Sequence, residues 1–154
     1  MKSMLLLNCG IVVHYSKEDE DLILKYTWHT DSDGYLRTNI KGKPQRLHNM
    51  IAQRIRIVAD RIDHVDFNIL NNSRTNLRGS SFSESEAHKR PPRAGHEYKG
   101  VRQKASGKWE ARIKANGEEQ HIGTFATEIQ AALAYDQEAK KRFGEFAVLN
   151  FSEE

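Results

Sequence analysis

An Asp-His pair lies near the start of the polar stretch RIDHVDFNILNNSRTNLR, residues 61–78. Asp63 offers a carboxylate, the hard oxygen ligand that a divalent cation such as Mg²⁺ prefers. His64 carries an imidazole that titrates near neutral pH and can accept a proton from water. One divalent ion and one general base can hydrolyse a phosphodiester bond. The pair therefore indicates metal-assisted hydrolysis as candidate chemistry.

The residues that follow the pair are rich in asparagine, and the four are Asn68, Asn71, Asn72 and Asn76. Asparagine is common in turns, so an ordinary polar loop explains most of them. An asparagine amide can also orient a histidine or fix a loop by hydrogen bonds. The stretch alone leaves both interpretations open.

The elements that must position the pair follow from apolar spacing and turn residues. Strands are predicted at residues 4–7, 11–14, 35–40, 44–47, 61–65 and 75–79. Helices are predicted from 17 to about 26, 47 to about 57 and 83 to about 89. Ser16 with Asp19, and Ser83 with Glu86, have capping-box spacing at the first and third of these helices. Asp63 and His64 would then stand at a strand end, where both side chains can serve one site.

A proline-rich stretch, RPPRAG at residues 90–95, predicts a linker over 91–97 between domains at 1–90 and 98–154. In the second domain, strands are predicted at 101–104, 108–115 and 118–125, and a helix capped by Thr127 and Gln130 runs to about residue 143. Asn116-Gly117 is a strong hairpin signal between the last two strands. The fold class is therefore α+β, and its second part is a three-stranded antiparallel sheet backed by one helix.

Alternation along residues 108–114 separates an apolar face from a charged one. Trp109, Ala111 and Ile113 share one face, while the intervening residues are charged. The helix must cover the apolar face, so the charged face is left for solvent or a partner. This face carries more positive charge than solubility requires, because a soluble surface usually mixes both signs. A small antiparallel sheet also fits the major groove of DNA.

Composition narrows the functional classes. The chain has 154 residues, a net charge of +3 and a pI near 9.0, which fits a nucleic-acid partner. Cys9 is the only cysteine, which excludes an internal disulfide and a four-thiolate zinc site and favours a reducing cytosol or nucleus. No apolar run approaches 18 residues, so no membrane span is expected. A monomer is the favoured oligomeric state.

The second part resembles the plant ethylene-response-factor (APETALA-type) DNA-binding domain over residues 98–151. The resemblance rests on YKGVRQ, GKW, IGTF, AALAYD and LNF in that order. It implies double-stranded DNA as partner, read by the outer face of the sheet in the major groove. The DNA-contacting candidates are Lys99, Arg102, Lys104, Lys108, Arg112, Lys114 and His121. Ser106 and His121 replace family tryptophans, and Glu119 lies near a family arginine, so the plant target sequence does not carry over.

The first part resembles the HNH (His-Me finger) endonucleases of the phage and intron homing type. The residues that carry this are Leu47-His48, Ile62-Asp63-His64 and NSRTNLR at 72–78. The resemblance implies a ββα-metal nuclease domain that binds Mg²⁺, or alternatively Mn²⁺. It implies Asp63 as metal ligand, His64 as general base, Asn76 as the structural or orienting asparagine, and His48 as either a site residue or a buried structural one. The fusion with a sheet-type DNA reader is typical of phage and mobile-element proteins, which implies the cytoplasm of a bacterial or phage-infected cell.

The sequence departs from the HNH pattern at two places. The family usually has Asn or His as a second metal ligand on the following helix, where this chain has Ser85, with His88 three residues on along the same face. Asp66-Phe67 stands where an Asn-Gly turn is usual. Two functions therefore stay open: a metal-dependent endonuclease directed by the sheet domain, and a DNA-binding regulatory protein with a degenerate, inactive nuclease module.

Overall fold

Short strands joined by tight turns dominate the first half of the chain. The computed structural model describes residues 2–8, 10–89 and 97–151. The contacts divide the chain into two units, Met1–Ser80 and Ser81–Glu154. Both mix helices with small sheets, so the predicted α+β class is confirmed. No helix among the described residues is long and apolar enough to cross a membrane.

The first unit contains eight of the described strands and two α-helices. The strands are β1 (Lys2–Leu6), β2 (Val12–Ser16), β3 (His29–Thr30), β4 (Leu36–Ile40), β5 (Lys43–Arg46), β6 (Arg61–His64), β7 (Asn71–Asn72) and β8 (Leu77–Ser80). The helices are α1 (Glu20–Lys25) and α2 (Leu47–Arg54), and short 3-10 turns cover Lys17–Asp19 and Arg74–Asn76. All six strands predicted for this half are present, with ends shifted by no more than two residues.

Among the described residues of the first unit, three small sheets contribute to an apolar core. The sheet orders are β1-β2-β7, β3-β4-β5 and β6-β8, and β7 joins β2 in parallel while the other pairs are antiparallel. The buried core residues are Leu7, Val13, Tyr15, Leu22, Ile23, Trp28, Leu36, Leu47, Ile51 and Leu77. Because every sheet contributes few residues, the core depends on α1 and α2 as well as on the strands.

The capping box predicted at Ser16 and Asp19 is wrong. The Ser16 hydroxyl accepts the backbone N–H of Arg74 at 2.9 Å. The fully buried Asp19 carboxylate accepts two hydrogen bonds from the Arg74 guanidinium, each 2.8 Å long, and Arg54 lies 3.4 Å away. The Ser16 hydroxyl and the Asp19 carboxylate therefore bind residues far along the chain and do not cap a helix, and a 3-10 turn precedes α1.

The second unit contains α3 (Phe82–His88), β9 (Val101–Gln103), β10 (Trp109–Ala115), β11 (Glu118–Phe125) and α4 (Glu128–Phe143). The sheet order is β11-β10-β9, antiparallel throughout, and α4 covers one face. Asn116 and Gly117 have φ angles of 54° and 85°, the left-handed conformation that a tight hairpin turn requires. The predicted Thr127–Gln130 capping box is confirmed, with both hydrogen bonds present.

Helix α3 begins one residue earlier than predicted, and its capping serine lies two residues earlier. Ser81 and Glu84 form the capping box, while the Ser83 hydroxyl accepts the backbone N–H of Asn116 at 3.0 Å. Ala87 packs in an apolar cluster with residues of β10 and α4, so α3 is part of the second unit. The predicted limits at 1–90, 91–97 and 98–154 thus differ from this division after Ser80, and residues 90–96 of the linker region lie outside the described residues. Those domain limits stay a prediction.

Candidate active site and nucleic-acid interface

The Asp-His pair occupies the end of β6, as predicted. Asp63 pairs with Arg78 across the β6-β8 ladder, and the Arg78 Nη2 lies 3.5 Å from the Asp63 Oδ2. The Asp63 side chain is only 16% exposed. His64 ends the strand and is buried. Since the ladder stops here, the backbone can turn the two neighbouring side chains toward a common site.

An aromatic wall lies against His64. The Tyr35 ring centroid is 6.0 Å from that of His64, and the His48 centroid is 5.2 Å from it. Tyr35 and His48 also contact each other at 4.9 Å, and the Arg46 guanidinium stands 4.5 Å above the Tyr35 ring. His48 comes from the first turn of α2 and Tyr35 from the residue before β4. The wall restricts the rotation of the His64 ring and keeps solvent from that side.

Burial sets the protonation of both histidines. It lowers the pKa of His64, although a hydrogen bond with Asn72 and the charges of Asp63 and Asp66 act in the opposite direction. Burial together with the nearby His64 lowers the pKa of His48 to about 3. At neutral pH both rings are therefore uncharged, and an uncharged imidazole is the form that can accept a proton from water.

Asn76 fixes the loop that follows His64. Its amide nitrogen donates to the Asp66 carboxylate and to the Asn71 carbonyl, both at 2.8 Å, and its amide oxygen accepts the Asp66 backbone N–H at 3.1 Å. The backbone N–H of Val65 donates to the Asn76 carbonyl at 2.9 Å. Together these bonds hold the start of the loop against β8, so Asn76 determines where the chain leaves β6.

The turn at Asp66-Phe67 keeps the geometry for which an Asn-Gly pair would be suited. The Phe67 backbone N–H donates to the His64 carbonyl at 3.0 Å, and Phe67 has a φ angle of 62°. A non-glycine residue rarely adopts this left-handed conformation. The departure in sequence therefore leaves the turn in place at some conformational cost.

Two residues beside His64 were not assigned by the sequence analysis. Asn72, interpreted as part of a polar loop, is 1% exposed on β7 and hydrogen-bonds His64. Tyr35 was treated only as the first residue of a predicted strand. Neither role has a local signal, because Asn72 depends on the parallel pairing of β7 with Tyr15 of β2 and Tyr35 on the position of α2.

The outer face of the second sheet is organised around one carboxylate. Glu110 is 3% exposed, and its Oε2 accepts the Arg102 Nε at 2.7 Å. Arg112 Nε lies 3.1 Å from the same oxygen, and His121 Nε2 lies 3.3 Å from the Glu110 Oε1. Hydrogen bonds from Arg102 and Arg112 lower the pKa of Glu110 to about 2. Glu119 pairs with Arg112 at 2.5 Å at the edge of this group.

The opposite face of this sheet is apolar, as the alternation predicted. Ala111 and Ile113 are buried beneath α4, and Trp109 packs partly buried against the same core. Tyr135 of α4 is also buried there. Gly100 approaches Tyr135 so closely that an added Cβ would lie 2.1 Å from its ring, and its φ of 73° also favours glycine.

The lysines of the second unit fall into two groups. Lys104, Lys108 and Lys114 are exposed. Lys99 donates from its ammonium to the carbonyls of Ala87 and Lys89 at the end of α3, the second at 2.7 Å, and burial lowers its pKa to about 8. Lys99 therefore holds the end of α3, whereas the other three present their charge to solvent.

Comparison with known proteins follows the two parts of the chain. No protein-family model matches it. An uncharacterized HNH endonuclease of Acanthamoeba polyphaga mimivirus is 33% identical over 150 residues, which are 92% of this chain and 75% of that relative. The chain belongs to the HNH endonuclease family. The resemblance of the first part of the chain to the HNH endonucleases is thereby confirmed.

The plant resemblance of this HNH chain is confirmed as well. The dehydration-responsive element-binding protein 2D of Arabidopsis thaliana is 48% identical over 65 residues, 41% of this chain and 32% of that protein. The 2E protein of Oryza sativa subsp. japonica is 45% identical over 62 residues, 39% of this chain and 20% of the relative. The chain thus joins an HNH endonuclease to a part similar to plant DNA-binding proteins, and it spans a third or less of those plant relatives.

The predicted second metal ligands of this HNH protein lie on α3. Ser85 is half-buried, and His88 is the buried last residue of the helix. Both belong to the second unit, whereas Asp63 belongs to the first. A metal site shared by these residues stays a prediction.

The carboxylate of Asp63 fits a divalent ion that takes few ligands from the protein. Within the described ranges, no three His, Cys, Asp or Glu side chains gather closely enough to enclose a metal ion. Mg²⁺ does not need such a cage, because it keeps several waters and often binds through one or two carboxylates together with substrate phosphates. The partly buried carboxylate of Asp63 suits that mode, with Arg78 restraining it from the neighbouring strand.

Replacing Asn76 with alanine is expected to destabilise the first unit by about 2–3 kcal/mol, because the change removes three hydrogen bonds, one of which satisfies the buried Asn71 carbonyl. Urea unfolding measures this directly. Asn68→Ala is the matched control: Asn68 is exposed and its side chain accepts one local bond from Leu70, so its loss should cost under about 1 kcal/mol. Equal effects of the two substitutions would contradict the role of Asn76 as the residue that fixes the loop.

Acidification is expected to destabilise the first unit through His48. Its folded-state pKa of about 3 lies below the ordinary 6.5, so the unfolded chain binds the proton more readily. The contribution of His48 to stability is complete above pH 6.5 and is lost as pH falls toward 3, by up to ~1.4 kcal/mol per pH unit. Urea unfolding between pH 7 and pH 4 should show a shallower pH dependence for His48→Gln than for the wild type. The same slope in both proteins would contradict burial of a neutral His48.

Proposed function

We propose that this HNH protein is a metal-dependent DNA endonuclease that hydrolyses phosphodiester bonds with one divalent ion and His64 as general base. The observation that carries this proposal is the placement of a buried, uncharged His64 directly beside the Asp63 carboxylate at the end of β6. In a member of the HNH family, this pairing supports hydrolysis more strongly than it supports a structural role.

His64 would take a proton from the attacking water at an imidazole nitrogen. Three neighbours prepare it for this step. Asn72 fixes the ring by a hydrogen bond, while Tyr35 and His48 close one side of it against solvent. Asn76 holds the loop that follows, so the ring cannot swing away with the backbone.

Asp63 would hold the divalent ion, with Mg²⁺ expected and Mn²⁺ as an alternative. When bound, such an ion polarises the phosphodiester and offsets the charge that develops on the leaving oxygen. That Ser85 or His88 supplies a further ligand, as the HNH resemblance implies, stays a prediction. A hydroxyl is a weak neutral ligand, and the imidazole of His88 is a stronger donor.

The sheet of the second unit would bind double-stranded DNA through its outer face. The exposed Lys104, Lys108 and Lys114 are suited to phosphate contacts, which give affinity without sequence preference. Arg102, Arg112 and His121 lie at the centre of the face and are the candidates for base contacts. Lys99, being held at the end of α3, would contribute less than its position in the family motif implies.

A DNA substrate would place the protein inside a cell. The cytoplasm of a bacterial or phage-infected cell and a monomeric state are proposed on that basis.

A second function is favoured by one observation. Ser85 replaces the stronger ligand usual in the family, which would suit a DNA-binding regulatory protein with an inactive nuclease module. The two functions separate in one experiment: the protein is bound in EDTA to duplexes that include DNA flanking its gene, and Mg²⁺ is then added. Strand cleavage on addition of the metal supports the endonuclease, whereas a stable, uncleaved complex supports the regulator.

A further inference from the structure

The centre of the outer sheet face contains a buried anion where a DNA-binding surface would be expected to be cationic. Glu110 and Arg102 are directly opposite each other in the β9-β10 ladder, and Arg112 is two residues further along β10 on the same face. His121 is opposite Arg112 on β11, beside a bulge between Ala111 and Arg112. Three basic side chains therefore converge on one carboxylate from all three strands.

The contacts leave the basic groups ordered and accessible at the same time. Glu110 has a side chain that is only 4% exposed, while those of Arg102 and His121 are 54% and 50% exposed. Arg102 is held through its Nε, and a guanidinium has further N–H donors beyond that one. Side chains that are fixed before binding lose less conformational entropy when they meet a partner.

The charges on this face are also distributed unevenly. The two arginines are offset by Glu110 and Glu119, whereas Lys104, Lys108 and Lys114 are exposed toward the ends of the strands. Phosphates would be attracted to the lysines more strongly than to the centre, where the carboxylates offset the charge of the arginines. In this arrangement the lysines toward the strand ends would supply affinity, and the arginines at the centre would read the DNA sequence.

We propose that Glu110 determines the DNA sequence preference of this protein, by positioning Arg102 and Arg112 against base edges and by keeping phosphates away from the centre of the sheet. The inference rests on the proposed DNA-binding function of the second unit and adds to it a specificity-determining residue. Glu110 acts through the arginines and is a positioning residue, because its own carboxylate is covered by them.

The test is selection of binding sites from a randomised DNA duplex in EDTA, followed by titration of the selected and a scrambled duplex at several salt concentrations. Glu110→Gln keeps the shape and removes the charge. Its preference for the selected duplex over the scrambled one should fall roughly fivefold to a hundredfold, the range of one bidentate base contact. The slope of log Kd against log salt should steepen by about 0.9 for each phosphate newly contacted.

Two further variants separate geometry from charge. Glu110→Asp keeps the charge but shortens its reach, so it should lose preference while its salt slope stays at the wild-type value. Glu119→Gln removes an exposed carboxylate that contacts Arg112 at the edge of the group, so it should steepen the salt slope and lose less preference than Glu110→Gln. Thermal unfolding checks that each variant is folded, and if Glu110→Gln is not, Glu110→Asp and Arg102→Lys carry the test.

The inference would be overturned if both Glu110 variants kept the wild-type sequence preference. It would also be overturned if Glu119→Gln lost as much preference as Glu110→Gln, because the net charge of the face would then explain the loss. These outcomes would leave the nuclease proposal intact, because binding in EDTA is independent of cleavage. Failure of the wild-type protein to bind any duplex would overturn the proposed DNA-binding function together with this inference.

Discussion

His64→Ala is expected to reduce metal-dependent DNA cleavage by roughly a hundredfold to ten-thousandfold, the usual contribution of a general base. The buried, uncharged imidazole beside Asp63 is the group placed to deprotonate water. Single-turnover cleavage of a bound duplex measures the effect on the chemical step. DNA affinity should be unchanged, because the sheet face of the second unit is not altered.

Two controls make the His64 result specific. His14→Ala removes a partly exposed histidine of β2 in the same unit and should cleave at the wild-type rate. Urea unfolding of His64→Ala shows whether the cavity left beside Tyr35 and His48 has disrupted the fold. A folded His64→Ala protein that cleaves as fast as the wild type would contradict the assignment of the base.

Asp19→Asn is expected to destabilise the first unit by about 3 kcal/mol, the lower range for removing one partner of a buried ion pair. The Asp19 carboxylate is fully buried and joins the 3-10 turn before α1 to Arg74 and Arg54. Asparagine keeps the size but loses the charge, so Arg74 loses this carboxylate partner, while Arg54 keeps its ion pair with Asp21. The free energy of unfolding from urea titration gives the magnitude.

Asp21→Asn is the matched control for Asp19. Asp21 pairs with Arg54 at 2.6 Å, but its side chain is 66% exposed. Exposed ion pairs contribute about 0–1 kcal/mol, so this substitution should have little effect. If the two variants were equally stable, burial of Asp19 would not be what makes its ion pair important.

Short sequence patterns correctly predicted those turns and helix caps that depend only on residues close together in the chain. The Asn116-Gly117 turn and the Thr127–Gln130 cap are of this kind, and both are present. The cap predicted at Ser16 failed because the groups it needed are bound by Arg74, which lies 58 residues further along the chain. A local pattern cannot register a competitor at that distance.

The start of α3 shows a second limit. Two overlapping Ser-x-x-Glu patterns, Ser81 with Glu84 and Ser83 with Glu86, were equally able to begin the helix. The second serine is taken by the backbone of Asn116 in the β10-β11 turn, which leaves the first as the cap. Tertiary contact, and not helix propensity, decided between them.

The sequence predicted the reactive groups of the candidate site but not the residues that hold them in place. Asp63 and His64 stand at a strand end as expected, because strand length and turn residues are encoded locally. Asn72 and Tyr35 reach His64 only through the packing of separate elements. In the second unit, alternation identified the charged face, but it could not indicate that three basic side chains converge on Glu110.

The most direct test of the nuclease proposal is nicking of a supercoiled plasmid that carries the DNA flanking the gene, with the wild-type protein in Mg²⁺ and in EDTA. The Asp63–His64 centre predicts nicked or linear DNA in Mg²⁺ and intact supercoiled DNA in EDTA, with the activity lost in His64→Ala. Tight DNA binding without cleavage in Mg²⁺ or Mn²⁺, or cleavage that persists in EDTA, would contradict a metal-dependent site at the end of β6.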